Sequence, residues 1–272
     1  MIDSRTISRL GAGLFLTAVF AFLLTPFVYI AVGSLNDTTL SFPPRSISLS
    51  SYFEIPPAFF HALNISLVVA TASTLIALPL GISGALAIVR GKFPGRDFVN
   101  GLLLSPLLLP VLVLGASLYQ FYFAIDRAIG TAITGSLIGL ILGHTSFCIP
   151  YVARAVIPAL MQIPARVEEA ALDLGASQWL TFRRITMPMI RTSLVGGGAF
   201  AFLTSFDNFP MSLFLAEGNN ATLPVVMFQF IEFDLKPTVL AMSMLVILLS
   251  LGVMFVIERT IGLAAFVGLQ QR

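Results

Sequence analysis

Histidine and serine stand two residues apart at His144 and Ser146, with Ser117 upstream. These residue types serve nucleophilic hydrolysis, but that chemistry also needs a group to orient the imidazole and donors for an oxyanion, and the spacing identifies neither. His61 is the only other histidine and Cys148 the only cysteine, so zinc chemistry, a thiolate cluster and a disulfide framework are not expected. Gly91-Lys92 is followed by Phe93 and Pro94; it does not match G-x-x-x-x-G-K-[ST] and does not cradle a phosphate. Asp207 is the only acid well inside a long apolar stretch. A carboxylate there is costly and defaults to a functional reading, here a contact for a cation, against the plainer reading of a solvated or helix-paired group beside Asn208. Tyr119, Gln120, His144 and Ser146 are polar groups within apolar stretches; they suit a polar path between helices or hydrogen bonds from helix to helix.

The elements that must position these residues follow from composition. Of 272 residues 57% are hydrophobic and 10% charged, against about 25% charged in a soluble domain. Lipid is the solvent that reconciles these figures. The net charge of +2 is too small for electrostatic binding of nucleic acid. Six apolar stretches approach the roughly 20 residues needed to cross a bilayer: about 10–33, 62–90, 99–123, 133–152, 187–215 and 238–257. Each is expected to be a helix, because lipid offers no partner to open backbone groups. The first stretch exceeds the apolar run of a signal peptide, so it is expected to be a retained helix.

With the N-terminus inside, twelve of the fifteen Lys and Arg residues fall on the inner side and only Arg45, Arg127 and Lys236 outside. This bias predicts that both termini are cytoplasmic. The outer connections are then about 34–61, 124–132 and 216–237, the first turned by Pro43, Pro44, Pro56 and Pro57. Pro110, Pro150, Pro158 and Pro210 are candidate kinks or breaks, and Gly196-Gly197-Gly198 a site of close helix packing.

One inner stretch is long, charged and helix-friendly: residues 163–190, IPARVEEAALDLGASQWLTFRRITMPMI. Glu168 to Leu174 favours a helix, Gly175 supplies a positive-φ stop, and Ser177 caps a second short helix reaching Arg184. Ala170, Ala171 and Leu174 form an apolar stripe flanked by Glu168, Glu169 and Asp173. Such a surface suits a groove on a cytosolic partner. A helix lying on lipid favours a basic polar face instead.

Glu169-Ala170-Ala171, Gly175 after three residues, and Ile185-Thr186-Met187-Pro188 after nine more resemble the E-A-A-x3-G-x9-I-x-L-P loop of bacterial ABC-importer permeases, with Met187 for the usual Leu. The resemblance extends over essentially the whole chain. Ser205-Phe206-Asp207 and Thr222-Leu223-Pro224-Val225 look like the second permease subunit of spermidine/putrescine-type importers. It implies an all-α membrane protein with six transmembrane helices, a single permease domain over 1–272 and a cytoplasmic coupling loop at about 163–188. Glu168, Glu169, Ala170, Ala171, Gly175, Ile185 and Pro188 would serve that loop. The implied partners are a second permease subunit, two cytoplasmic ATPase subunits that hold ATP and Mg, and a periplasmic solute-binding protein; no cofactor is expected on this chain. The setting is the bacterial inner membrane, and the implied cargo is a polyamine or related amine. An ion-gradient-driven transporter is the alternative from another class, but no internal repeat stands out and Asp207 lacks an intramembrane basic partner. An intramembrane enzyme is the weaker one.

Overall fold

The computed structural model describes residues 4–37, 41–233 and 236–261. Every regular element among them is helical. In chain order these are α1 (Ser4–Gly33), α2 (Ser50–Phe53), α3 (Pro57–Arg90), α4 (Arg96–Leu104), α5 (Val111–Ile129), α6 (Leu137–Gln162), α7 (Ala165–Asp173), α8 (Gln178–Thr181), α9 (Met187–Phe206), α10 (Phe209–Leu215), α11 (Leu223–Phe233) and α12 (Pro237–Ile261). Arg272, one of the basic residues used to orient the chain, lies outside the described residues.

Two compact units emerge from the contacts: the described residues of Met1–Phe59 with Met227–Gly252, and those of Phe60–Val226 with Val253–Arg272. In the first, α1 is exposed from residue 11 to 29, an apolar surface suited to lipid or another membrane helix. Its C-terminal end closes on a polar knot. The Asn36 side chain donates to the Gly33 carbonyl at 3.1 Å and accepts from the Ser41 amide at 3.2 Å, while Ser51 Oγ donates to the Asn36 carbonyl at 2.8 Å.

The second unit holds the hairpin and most of the candidate residues. Its core includes α6 laid along α9. Cys148, Val152, Val156, Leu160, Ile190 and Ala201 are fully enclosed there. Close approach depends on glycine: Gly197 meets α6 at Ala155 and Val152, and Gly81 of α3 meets Val152 and the Ile149 carbonyl. Gly196, in the same triplet, faces open space.

Four segments are long and apolar enough to cross a membrane, Gly11–Gly33, Pro57–Arg90, Leu137–Gln162 and Pro237–Phe255; a fifth is gained if a bent pair counts as one span. That pair corrects the expected third span. Arg96–Leu107 and Val111–Ile129 meet at 102°, with Pro110 at the bend as the N-cap of α5, where a residue without an N–H leaves no ladder bond unmade. The expected fifth span is also corrected. α9 ends at Phe206 and α10 starts at Phe209, with Pro210 in its first turn. α9 is 20 residues long, about 30 Å of rise, but Arg191 and its threonines and serines make it less apolar than the other spans. The fourth is longer than expected: Pro150 and Pro158 lie within a continuous α6 that also holds Arg154. Residues 223–233, expected as part of an outer loop, form α11.

Candidate coupling hairpin and helix break

The hairpin forms as its residue types dictate. α7 begins after Pro164, whose φ of −60° suits a helix entrance. It ends in a Schellman turn: the Gly175 amide donates to the Leu172 carbonyl at 2.9 Å and the Ala176 amide to the Ala171 carbonyl at 3.0 Å, with Gly175 at φ +88°. The spacing of Ala171 and Gly175 is therefore geometric. The glycine is the left-handed residue just past the cap, and the last Ala of the motif supplies the carbonyl that the turn closes on. Ser177 then caps α8 by accepting from the Leu180 amide at 3.2 Å. Instead of stopping near Arg184, the second arm runs on through a π-helical turn at Phe182–Thr186 into α9, and Pro188 stands in the first turn of that helix.

The tip and the root differ in exposure. Glu169, Ala170 and Gly175 are exposed and Ala171 partly so, while Leu174 at 90% is the most exposed large apolar side chain among the described residues. Ile163, Thr181, Thr186 and Ile190 at the root are buried, and Ile185 partly so. Glu168 faces the root of the hairpin. Its Oε2 accepts from Arg90 Nε at 2.7 Å and its Oε1 accepts from Thr186 Oγ1 at 2.7 Å. A helix turns by about 100° per residue, so adjacent acids point apart: Glu168 inward to the root, Glu169 outward. Arg90 and Thr186 were not foreseen, because nothing in their local sequence signals contacts 78 and 18 residues away.

The opposite end of this unit gathers the start of α3 with two loops. His61 Nε2 lies 2.9 Å from the Asn219 carbonyl, and the Asn220 side chain donates to the Gly135 carbonyl at 2.9 Å. Ser136 caps α6 by accepting from the Gly139 amide. α6 therefore runs from this end to the hairpin, and α9 returns.

Near the far end of α9 lies the helix break. Asp207 is exposed and non-helical, and Asn208 caps α10 by accepting from the Met211 amide at 3.0 Å. His144, 1% exposed, braces both sides: Nδ1 is 2.8 Å from Ser205 Oγ before the break, and Nε2 is 3.1 Å from Ser212 Oγ after it. Each hydroxyl can donate to or accept from the ring nitrogen it faces. Both ring nitrogens are thus occupied by hydroxyls of this chain. The Ser146 and His144 pair weighed for hydrolysis does not form, since Ser146 Oγ donates to the Gly143 carbonyl at 2.7 Å. Tyr119 is half-buried against the cluster of Tyr122, Leu140, Phe147, Met211 and Leu215, whereas Gln120 is exposed. Among the described residues no group of three His, Cys, Asp or Glu side chains is placed to hold a metal.

Residues 77–260 match the family described as binding-protein-dependent transport system inner membrane component. The putrescine transport system permease protein PotI of Escherichia coli strain K12 is 30% identical over 231 residues, 84% of this chain and 82% of that protein. The spermidine/putrescine transport system permease protein PotC of the same strain is 28% identical over 247 residues, covering 90% and 91%. Among solved structures, a bacterial ABC transporter involved in the import of the acidic polysaccharide alginate aligns over 95% of this chain and 98% of the matched chain, with a TM-score of 0.76 at 16% identity. That last likeness is one of fold.

Proposed function

The chain belongs to the family of binding-protein-dependent transport system inner membrane components, a permease subunit of an ABC-type importer and not an enzyme, and from that premise we propose how it works. It pairs with a second permease in the bacterial inner membrane. Two cytoplasmic ATPase subunits dock on the α7–α8 hairpin, and a periplasmic binding protein delivers solute. ATP and Mg reside on the ATPases.

One observation carries this reading: the hairpin presents Glu169, Ala170 and Leu174 outward at a rigid glycine turn while its root is buried in the α6 and α9 core. An exposed apolar residue beside an acid suits a groove on a partner, with the charge setting orientation. Closure of the ATPases then displaces the tips and shifts the permease between inward-facing and outward-facing states. Amine-bearing solutes, with putrescine and spermidine foremost, are the proposed cargo. Support comes from the polyamine permeases PotI and PotC and from Asp207 at the helix break. Asp207, Tyr119, Gln120 and Ser146 are the proposed path residues.

Reconstitution with the partner subunits in proteoliposomes tests the assignment. ATP-dependent uptake of putrescine, absent without the binding protein, is expected. A complex that accumulates putrescine on an ion gradient without ATP would overturn the mechanism; one that imports only an anion would overturn the cargo.

A further inference from the structure

Arg90, the last residue of α3, fastens both roots of the hairpin. Its Nη2 donates to the Ile163 carbonyl at 3.0 Å, immediately before Pro164 opens α7. Its Nε donates to Glu168 at 2.7 Å, and the other oxygen of Glu168 accepts from Thr186 at 2.7 Å, at the last residue before α9. One continuous chain of bonds thus joins α3, the entrance to the hairpin, α7 and the start of α9.

The environment makes this chain more than a surface ion pair. The Arg90 and Glu168 side chains are 25% and 16% exposed, and Thr186 is 2% exposed. Charge-assisted bonds at such burial are stronger than exposed ones, and deleting one partner strands the other charge. Apolar packing also joins these elements, since Ile82, Ala85 and Leu86 of α3 share a core with Ile163, Phe182 and Met187. A groove of about 600 Å³ lined by Pro79, Ile82, Leu86, Trp179, Phe182 and Met187 opens beside it, and the bond chain adds a directional link that such packing does not make.

We propose that Arg90 is a positioning residue for transport: through Glu168 and Thr186 it ties the hairpin to α3 and α9 together, so that a displacement of the docked tip moves both helices as a unit. This rests on the hairpin being the ATPase-coupling element. Loss of the tether leaves docking at Glu169 and Leu174 intact but lets the hairpin turn against α3. ATP is then hydrolysed without a matching movement of the path.

The test uses the assembled complex with Cys148→Ser and spin labels at Ser83 on α3 and Arg166 on α7, both exposed. The inter-label distance is read without nucleotide and after trapping with ATP and vanadate. With the tether present, one narrow distance common to both states is expected. Arg90→Ala, Glu168→Gln and the milder Thr186→Val should each broaden it or make it nucleotide-dependent, with ATPase copurification retained. Putrescine taken up per ATP, read in parallel, should fall about tenfold, a typical coupling factor, and Arg90→Ala with Glu168→Gln should cost no more than either alone. Unchanged distances in all three variants, or loss of the ATPase from them, would overturn the tether. Retention of the ATPase by Glu169→Lys would instead overturn the coupling reading, and absence of putrescine uptake by the wild type would overturn only the cargo.

Discussion

Gly197 of α9 faces Ala155 of α6 so closely that a Cβ at position 197 would stand 2.8 Å from the Ala155 Cβ and 3.4 Å from the Val152 Cα. In lipid, where apolar side chains gain little by leaving their surroundings, such backbone approach is a main source of helix association. The seam between α6 and α9 therefore leaves no room for added volume at position 197.

Gly197→Val is expected to destabilise the subunit by about 1–3 kcal/mol, the usual cost of overpacking. Gly196→Ala is expected to be neutral or slightly stabilising, because that position is open and Ala favours the helix by up to about 1 kcal/mol. Thermal unfolding of the two variants in detergent checks the contrast. Equal effects at the two positions would contradict the seam.

His144→Phe keeps the bulk of the ring but leaves Ser205 and Ser212 without their partner across the break. The expected loss is about 1–3 kcal/mol for each buried hydroxyl left unsatisfied. Limited proteolysis near residues 207–208 should accelerate in this variant, whereas Ser146→Ala, whose hydroxyl bonds only within its own helix turn, should leave it unchanged.

The hairpin was legible because its signals are local. Gly175 and Ser177 act on backbone groups within a few residues, so a glycine and a serine at the right spacing specify the turn and the cap. The break at Asp207 was not legible in the same way. Apolar residues continue on both sides, and only Asn208 and Pro210 hint at a new helix start; what holds the break is His144, more than 60 residues away. The same distance hid the division of labour between the two acids. Glu168 and Glu169 are indistinguishable as residue types, and only the placement of Arg90 and Thr186 turns one inward.

Gly175→Pro is expected to abolish ATPase stimulation and uptake in the assembled complex without preventing membrane insertion. Proline fixes φ near −65° and removes a donor, while the turn requires φ +88° and the Gly175 N–H to Leu172 bond. Gly175→Ala, strained by about 1–2 kcal/mol in the left-handed region, should retain partial function. Full activity of the proline variant would show that the turn is dispensable.

The purified subunit alone is expected neither to bind nor to hydrolyse ATP. Gly91-Lys92-Phe93-Pro94 offers no run of backbone amides for a β-phosphate, and Gly91 is closely flanked by the Ala87 carbonyl and the Phe93 ring. Equilibrium dialysis with labelled ATP measures this directly; a stoichiometric site would place nucleotide on the wrong subunit.

Asp207→Asn is expected to lower putrescine and spermidine uptake while sparing ATPase assembly. The residue is exposed at the end of α9, with its backbone amide bonded to the Leu203 carbonyl at 3.1 Å, so the change from carboxylate to amide alters charge at nearly constant shape. A carboxylate attracts an ammonium and repels an anion. Uptake of putrescine, spermidine, a neutral amino acid and an anionic solute by wild type and Asp207→Asn separates the possibilities. Loss confined to the amines assigns Asp207 to cation recognition. Equal uptake by both proteins would remove Asp207 from the path and leave the permease assignment untouched, since that assignment rests on the family and the hairpin and not on this side chain.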